Sequence, residues 1–186
     1  MKRFNSKKGF TLIEALVAVS ILMVAVAAPI TIAQKGLSSA VYSKDQMIAS
    51  YLAQDAIEYV INQRDQASIN NPAFDWGEFK IDFDICTDEA GCEIDTVDPF
   101  DSFLHIRARV GEGEFIKKSF DSDGEFEFYG YNGTEDTKFL RKINMDFHEI
   151  NNVEGLKNEA LITAEVTWPG GDGNNHVTIH TLIYNR

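Results

Sequence analysis

Hydrophobic and polar positions divide the 186-residue chain into three successive regimes. Phe10 to Ala33 is an apolar run of 24 residues interrupted by a single charge, Glu14. As a helix it would extend roughly 36 Å, enough for a bilayer core of about 30 Å. Leu37, Val41, Ile48, Leu52, Ala56, Tyr59 and Val60 then recur at spacings of three, four and seven, which predicts one face of a continuing amphipathic helix. From Trp76 onward the expected period falls to two. Phe79, Ile81, Phe83 and Ile85 alternate with polar residues, as do Leu104, Ile106, Ala108 and Val110. Further strands are predicted over 114–120, 125–131, 139–147, 160–168 and 177–184, with turns at Gly111-Glu112-Gly113, Asp123-Gly124, Asn132-Gly133 and 169–173.

These regimes predict an α+β architecture: a long N-terminal helix whose second half covers one face of an antiparallel meander. The expected organisation is a basic leader (1–9), a transmembrane or filament-core helix (10–35), its amphipathic continuation (36–68) and a sheet domain (69–186). Pro29 removes one helical hydrogen bond and Gly36 is a second weak point, so a bend or local melting is expected there.

Met1 to Gly9 carries four basic residues and no acidic one, which by the positive-inside tendency keeps it cytoplasmic and sends the remaining chain across the membrane. Three readings compete for the apolar segment behind this leader: an uncleaved anchor, a secretory signal peptide cut after Ala27 in the small-x-small run Ala25-Val26-Ala27, and a segment cut before its apolar run. Glu14 discriminates among them. A carboxylate in a membrane helix costs roughly 2.5–3.5 kcal/mol at mid-bilayer, and neither an anchor nor a signal peptide has a use for it.

Lys7-Lys8-Gly9-Phe10-Thr11-Leu12-Ile13-Glu14 resembles the cleavage signal of type IV pilins and of the pseudopilins of type II secretion. The resemblance implies cutting between Gly9 and Phe10 by a prepilin peptidase, N-methylation of Phe10, and a role for Glu14 in filament assembly. A carboxylate near each helix start can pair with the terminal ammonium of a neighbouring Phe10 and so fix axial register. The partners implied are other pilin or pseudopilin subunits, the peptidase, an inner-membrane assembly platform, and membrane lipid before assembly. The segment 52–66 is also similar to the exit helix of minor pilins. The expected function is therefore that of a structural subunit, a minor pilin, of a type IV pilus or related filament, with a type II secretion pseudopilin as the alternative. An exported binding domain or enzyme released after Ala27 is the alternative of another class.

Composition adds little to this picture. A formal net charge of −12 argues against nucleic acid as a partner. Cys86 and Cys92 are an even pair, expected to bond in an oxidising compartment as a staple on a surface hairpin, with free thiols the alternative. No nucleophile elbow, phosphate loop or zinc signature is present, and no cofactor is expected. His176 and His180 fall roughly 13 Å apart along a strand, too far to share a metal. Asp121, Asp123 and Glu125, around a tight turn, are the one weak calcium candidate.

Overall fold

The computed structural model describes residues 9–70, 76–97, 105–148, 158–171 and 173–185. Residues 1–8 of the basic leader, Leu104 of a predicted strand and Asp172 of a predicted turn lie outside them. The chain divides into two compact units between Asp45 and Gln46.

A single helix, α1, runs from Leu12 to Asn70. It is continuous through Pro29 and Gly36, so neither melts it. In the first unit its apolar residues have no cover: Leu12, Ile13, Leu16, Ile21, Leu22, Met23 and Ile32 are all exposed. The few hydroxyls in this stretch are turned inward on the helix. Ser20 Oγ donates to the Leu16 carbonyl at 2.8 Å, and Thr31 Oγ1 to that of Ala27 at 3.1 Å. Such back-bonding lets a polar side chain sit in an apolar setting without an unpaired donor.

In the second unit, α1 from Gln46 onward buries Ala49, Leu52, Ala53, Ala56, Ile57 and Val60 against the sheet. The spacing is the three-and-four repeat of a helix lying on a flat partner, and the alanines keep the contact close. Leu37 and Val41, expected on the same stripe, belong to the first unit and are exposed.

Seven strands form one antiparallel sheet among the described residues: β1 (Cys92–Ile94), β2 (Ile106–Ala108), β3 (Phe115–Phe120), β4 (Phe126–Gly130), β5 (Glu135–His148), β6 (Glu159–Gly170) and β7 (Gly173–Tyr184). Sequential neighbours β3–β4, β5–β6 and β6–β7 pair as expected, and β1, which lies outside the predicted strands, pairs with β2. The whole is not a simple meander, however. β5 is long enough to take β6 along one side, while both β3 (Phe115↔Leu140) and β1 (Cys92↔Ile143) return to it. Its inward positions Phe139, Ile143 and Met145 join Ile162, Val166 and Trp168 of β6 in the core. The β6–β7 hairpin closes on the pair Gly170↔Gly173, a connection too short for anything but a tight turn.

The strand expected over Phe79–Ile85 is instead a helix, α2 (Trp76–Asp82), followed by a 3₁₀ turn, Asp84–Cys86. Its buried residues are Trp76, Phe79, Phe83 and Cys86, at helical spacings, while Ile81 is 74% exposed. Trp76 stacks on Phe79 (5.2 Å between centroids), Phe79 contacts Phe83 (4.8 Å), and Trp76 meets Phe147 edge-on (6.1 Å). Four aromatic rings packed this way outweigh a period-two pattern spread over only four apolar residues.

Cys86 and Cys92 are bonded. The bond is no surface staple: both cysteines are fully buried and tie the 3₁₀ turn to β1 inside the core. Gly91 next to it has φ +71°, and a Cβ there would come within 2.7 Å of the Ile143 carbonyl oxygen, so only glycine lets β1 reach β5.

Phe83 has no exposed surface and links α2 to the rest of the core. Phe83→Ala should therefore lower unfolding free energy by about 3 to 5 kcal/mol. Urea denaturation of the detergent-solubilised chain checks this; a loss near that of a surface Phe would contradict the packing described.

Candidate functional site

At the N-terminal end, Gly9, Phe10 and Thr11 are outside the helix and exposed, Phe10 at 79%. A Cβ placed on Gly9 would meet nothing within 4 Å. Packing among the described residues therefore does not require glycine there. Leu12 opens α1, and Thr11 caps it. The Thr11 hydroxyl oxygen accepts the Glu14 N–H at 3.3 Å, while the Thr11 carbonyl accepts the Ala15 N–H at 3.2 Å. Thr11-x-x-Glu14 is thus a capping-box sequence, with Glu14 three residues into the helix. A carboxylate there also complements the partial positive charge of the helix start. Sequence reasoning finds Glu14 and misses Thr11, although a Thr followed three residues later by Glu before an apolar run is a legible signal.

The helix that begins here contains a window of mean hydropathy 2.5, none of it buried against the rest of the chain, and is long and apolar enough to cross a membrane. One such helix near an N-terminus is compatible with an anchor, a signal sequence or an assembly helix. The sequence around its start carries a further signal. Residues 4–28 match the prokaryotic N-terminal methylation motif.

That match carries the type IV pilin-like prepilin motif, and it places Gly9, Phe10, Thr11 and Glu14 inside the matched span. The motif marks a structural class of proteins, not an enzyme family. No curated protein and no solved structure matches the chain. The fold is accordingly α+β and pilin-like: a long apolar N-terminal helix whose later part packs with an antiparallel sheet.

The other sequence candidates are scattered. Asp121 Oδ1 accepts the backbone N–H groups of Asp123 and Glu125, both at 2.9 Å, and so builds the β3–β4 turn around Gly124 (φ +81°). Among the described residues, no group of three or more His, Cys, Asp and Glu side chains is placed to hold a metal. His176 and His180 are both exposed on β7, and His180 Nδ1 lies 2.9 Å from the Thr163 hydroxyl. An apolar groove of about 470 Å³ lies between Ile48 and Tyr51 of α1 and Phe126 and Phe128 of β4.

A buried polar clamp organises the second unit. Arg141, 1% exposed, occupies an inward position of β5. It donates to the Leu52 carbonyl (2.9 Å) and Asp55 Oδ2 (3.2 Å) on α1, and to the Ile94 carbonyl on β1. Glu93, 3% exposed, accepts Arg107 Nε at 2.9 Å and the Glu114 N–H at 2.7 Å. Both guanidinium groups face the Tyr131 ring, Arg107 at 4.3 Å and Arg141 at 5.9 Å from its centroid. A signal for the clamp was available in the sequence, since the alternation Phe139, Arg141, Ile143, Met145 puts an arginine among core residues.

Burial pushes the Tyr131 phenol above its ordinary 10.0; Arg141 pulls it down, Glu93 pushes it up, and Arg107 pulls it down again. A folded-state pKa above the unfolded one contributes stability that is complete below pH 10 and lost as pH rises through the folded value. Tyr131→Phe should thus flatten the fall in the urea midpoint as the pH is raised above about 10, and leave the midpoint's pH dependence below that unchanged. An unchanged alkaline slope in the variant would show that Tyr131 does not carry it.

Proposed function

We propose that the chain is a prepilin-type structural subunit, cut between Gly9 and Phe10, N-methylated at Phe10, and drawn from the cytoplasmic membrane into a filament through α1. One observation carries this reading: the methylation motif over residues 4–28 overlaps a helix whose apolar surface is exposed among the described residues. The motif by itself supports a processed pilin- or pseudopilin-like subunit that is membrane-anchored and assembles with others of its kind. The finer assignment is a minor pilin of a type IV pilus, with a pseudopilin of type II secretion as the second reading. Its N-terminus starts in the cytoplasm and its sheet unit faces outward. The partners are a prepilin peptidase, neighbouring subunits and an inner-membrane assembly platform.

Cutting creates an ammonium on Phe10, one residue before the helix cap. That position sits at the positive end of the helix dipole, where a cation is disfavoured. Glu14 offsets it, and in a bundle of such helices the Glu14 of one subunit can take the Phe10 ammonium of the next. The pairing has a register function because an unpaired charge among apolar helices is costly.

The membrane-fraction protein should begin at N-methylated Phe10, which intact mass and N-terminal peptide sequencing will read. A chain beginning at Ala28 would identify a secreted soluble protein and end the filament reading. Glu14→Ala should leave membrane insertion intact while lowering filament or secretion yield by at least about tenfold, the effect of roughly 1.4 kcal/mol per contact. Wild-type yield in that variant would remove Glu14 from assembly.

A further inference from the structure

The proposed cut needs the Gly9–Phe10 bond to be outside a helix. In an α-helix each peptide's carbonyl is bonded to the next turn and its faces are covered by side chains, so a peptidase cannot reach it. Something must therefore stop α1 before Phe10. Neither Phe10 nor Thr11 is a strong helix breaker, with propensities only modestly below alanine. In an apolar environment the tendency is to extend, because each helical bond satisfies a donor that lipid cannot.

Thr11 supplies the stop. Its hydroxyl oxygen accepts the Glu14 N–H at 3.3 Å, which satisfies one of the donors left free at the helix start. A capping residue does this from non-helical backbone angles. Capping by Thr11 and propagation of the helix through Thr11 are thus mutually exclusive. With the cap formed, the helix starts at Leu12, and Gly9 and Phe10 remain exposed and outside it.

We infer that Thr11 is a positioning residue for processing: its side-chain cap fixes the start of α1 and so holds the Gly9–Phe10 bond in the open form that a peptidase cuts. The inference rests on the processing reading above. In the step itself the Gly9 carbonyl carbon–Phe10 nitrogen bond breaks. Water supplies a hydroxyl to the carbon and a proton to the nitrogen, leaving a Gly9 carboxylate and a Phe10 ammonium. Thr11 takes no part in that chemistry.

The test compares the full-length precursor with Thr11→Val, which keeps the shape and removes the hydroxyl, and Thr11→Ser, which restores a cap. Conversion by membranes containing a prepilin peptidase is followed by intact mass. In parallel, backbone chemical shifts of Phe10 and Thr11 in detergent micelles report whether the helix has grown backward. Thr11→Val should be cut about fivefold more slowly, the change that loss of a typical cap makes in an equilibrium constant, with Phe10 turning helical. Thr11→Ser should match wild type in both readouts. The inference is overturned if Thr11→Val is cut at the wild-type rate, if Thr11→Ser is as slow as Thr11→Val, or if Phe10 stays non-helical in Thr11→Val. Wild-type precursor left whole by an active peptidase would overturn the processing reading, and this inference with it.

Discussion

The apolar residues from Leu12 to Ile32 are left exposed by the described residues of the chain. At roughly 25 cal/mol per Å² of apolar surface, a helix of this length cannot remain in water, and its cover must come from lipid or from other helices. That single constraint organises the N-terminal unit. It explains why Ser20 and Thr31 bond to their own helix, and why a continuous helix is kept through a proline. A filament core and a bilayer impose the same demand, so one segment can serve in both without refolding.

Past Asp45 the same helix meets the opposite problem, because it must bind a sheet tightly enough to be part of a domain. The solution has two components. Alanines at 49, 53 and 56 let the backbone come close, and Arg141 reaches from β5 to bond Leu52 and Asp55 on the helix and Ile94 on β1. A buried arginine whose Nη1 and Nη2 donate to two main-chain carbonyls and one carboxylate, while its Nε has no partner among the described residues, is stringent about geometry. It contributes less to net stability than to holding helix, β1 and β5 in one arrangement. The β3–β4 turn around Asp121 has no such internal linkage and projects as an exposed acidic tip.

How much of this the sequence disclosed depends on the length of each pattern. The N-terminal helix, with a run of 24 apolar residues behind a basic leader, admits few alternatives. The long strands β5, β6 and β7 repeat their period often enough to be read, and β7 emerges four residues longer than its hydrophobic stretch because glycine and asparagine complete the hairpin. The segment 76–86 misleads because four alternating hydrophobics fit a strand, and Trp76, Phe79, Phe83 and Cys86 fit a helix equally well. Only the packing against Phe147 settles which set turns inward. The return of β1 and β3 to β5 left no local trace, since strand order is decided by contacts far apart in the chain. At the processing end, Glu14 is conspicuous as a charge in an apolar run. Thr11 breaks no hydropathy pattern and is legible only through its three-residue spacing to Glu14, the capping-box signature.

The Cys86–Cys92 bond has neither cysteine accessible to solvent. A reductant therefore reaches it only when the core that encloses the two cysteines opens. The rate at which the bond is reduced under native conditions consequently counts openings of that region, much as amide exchange counts the breaking of hydrogen bonds. The domain carries a covalent clock for its own breathing, one that needs no added label and can be read by mass whether the subunit is dissolved in detergent, resting in a membrane or locked in an assembly.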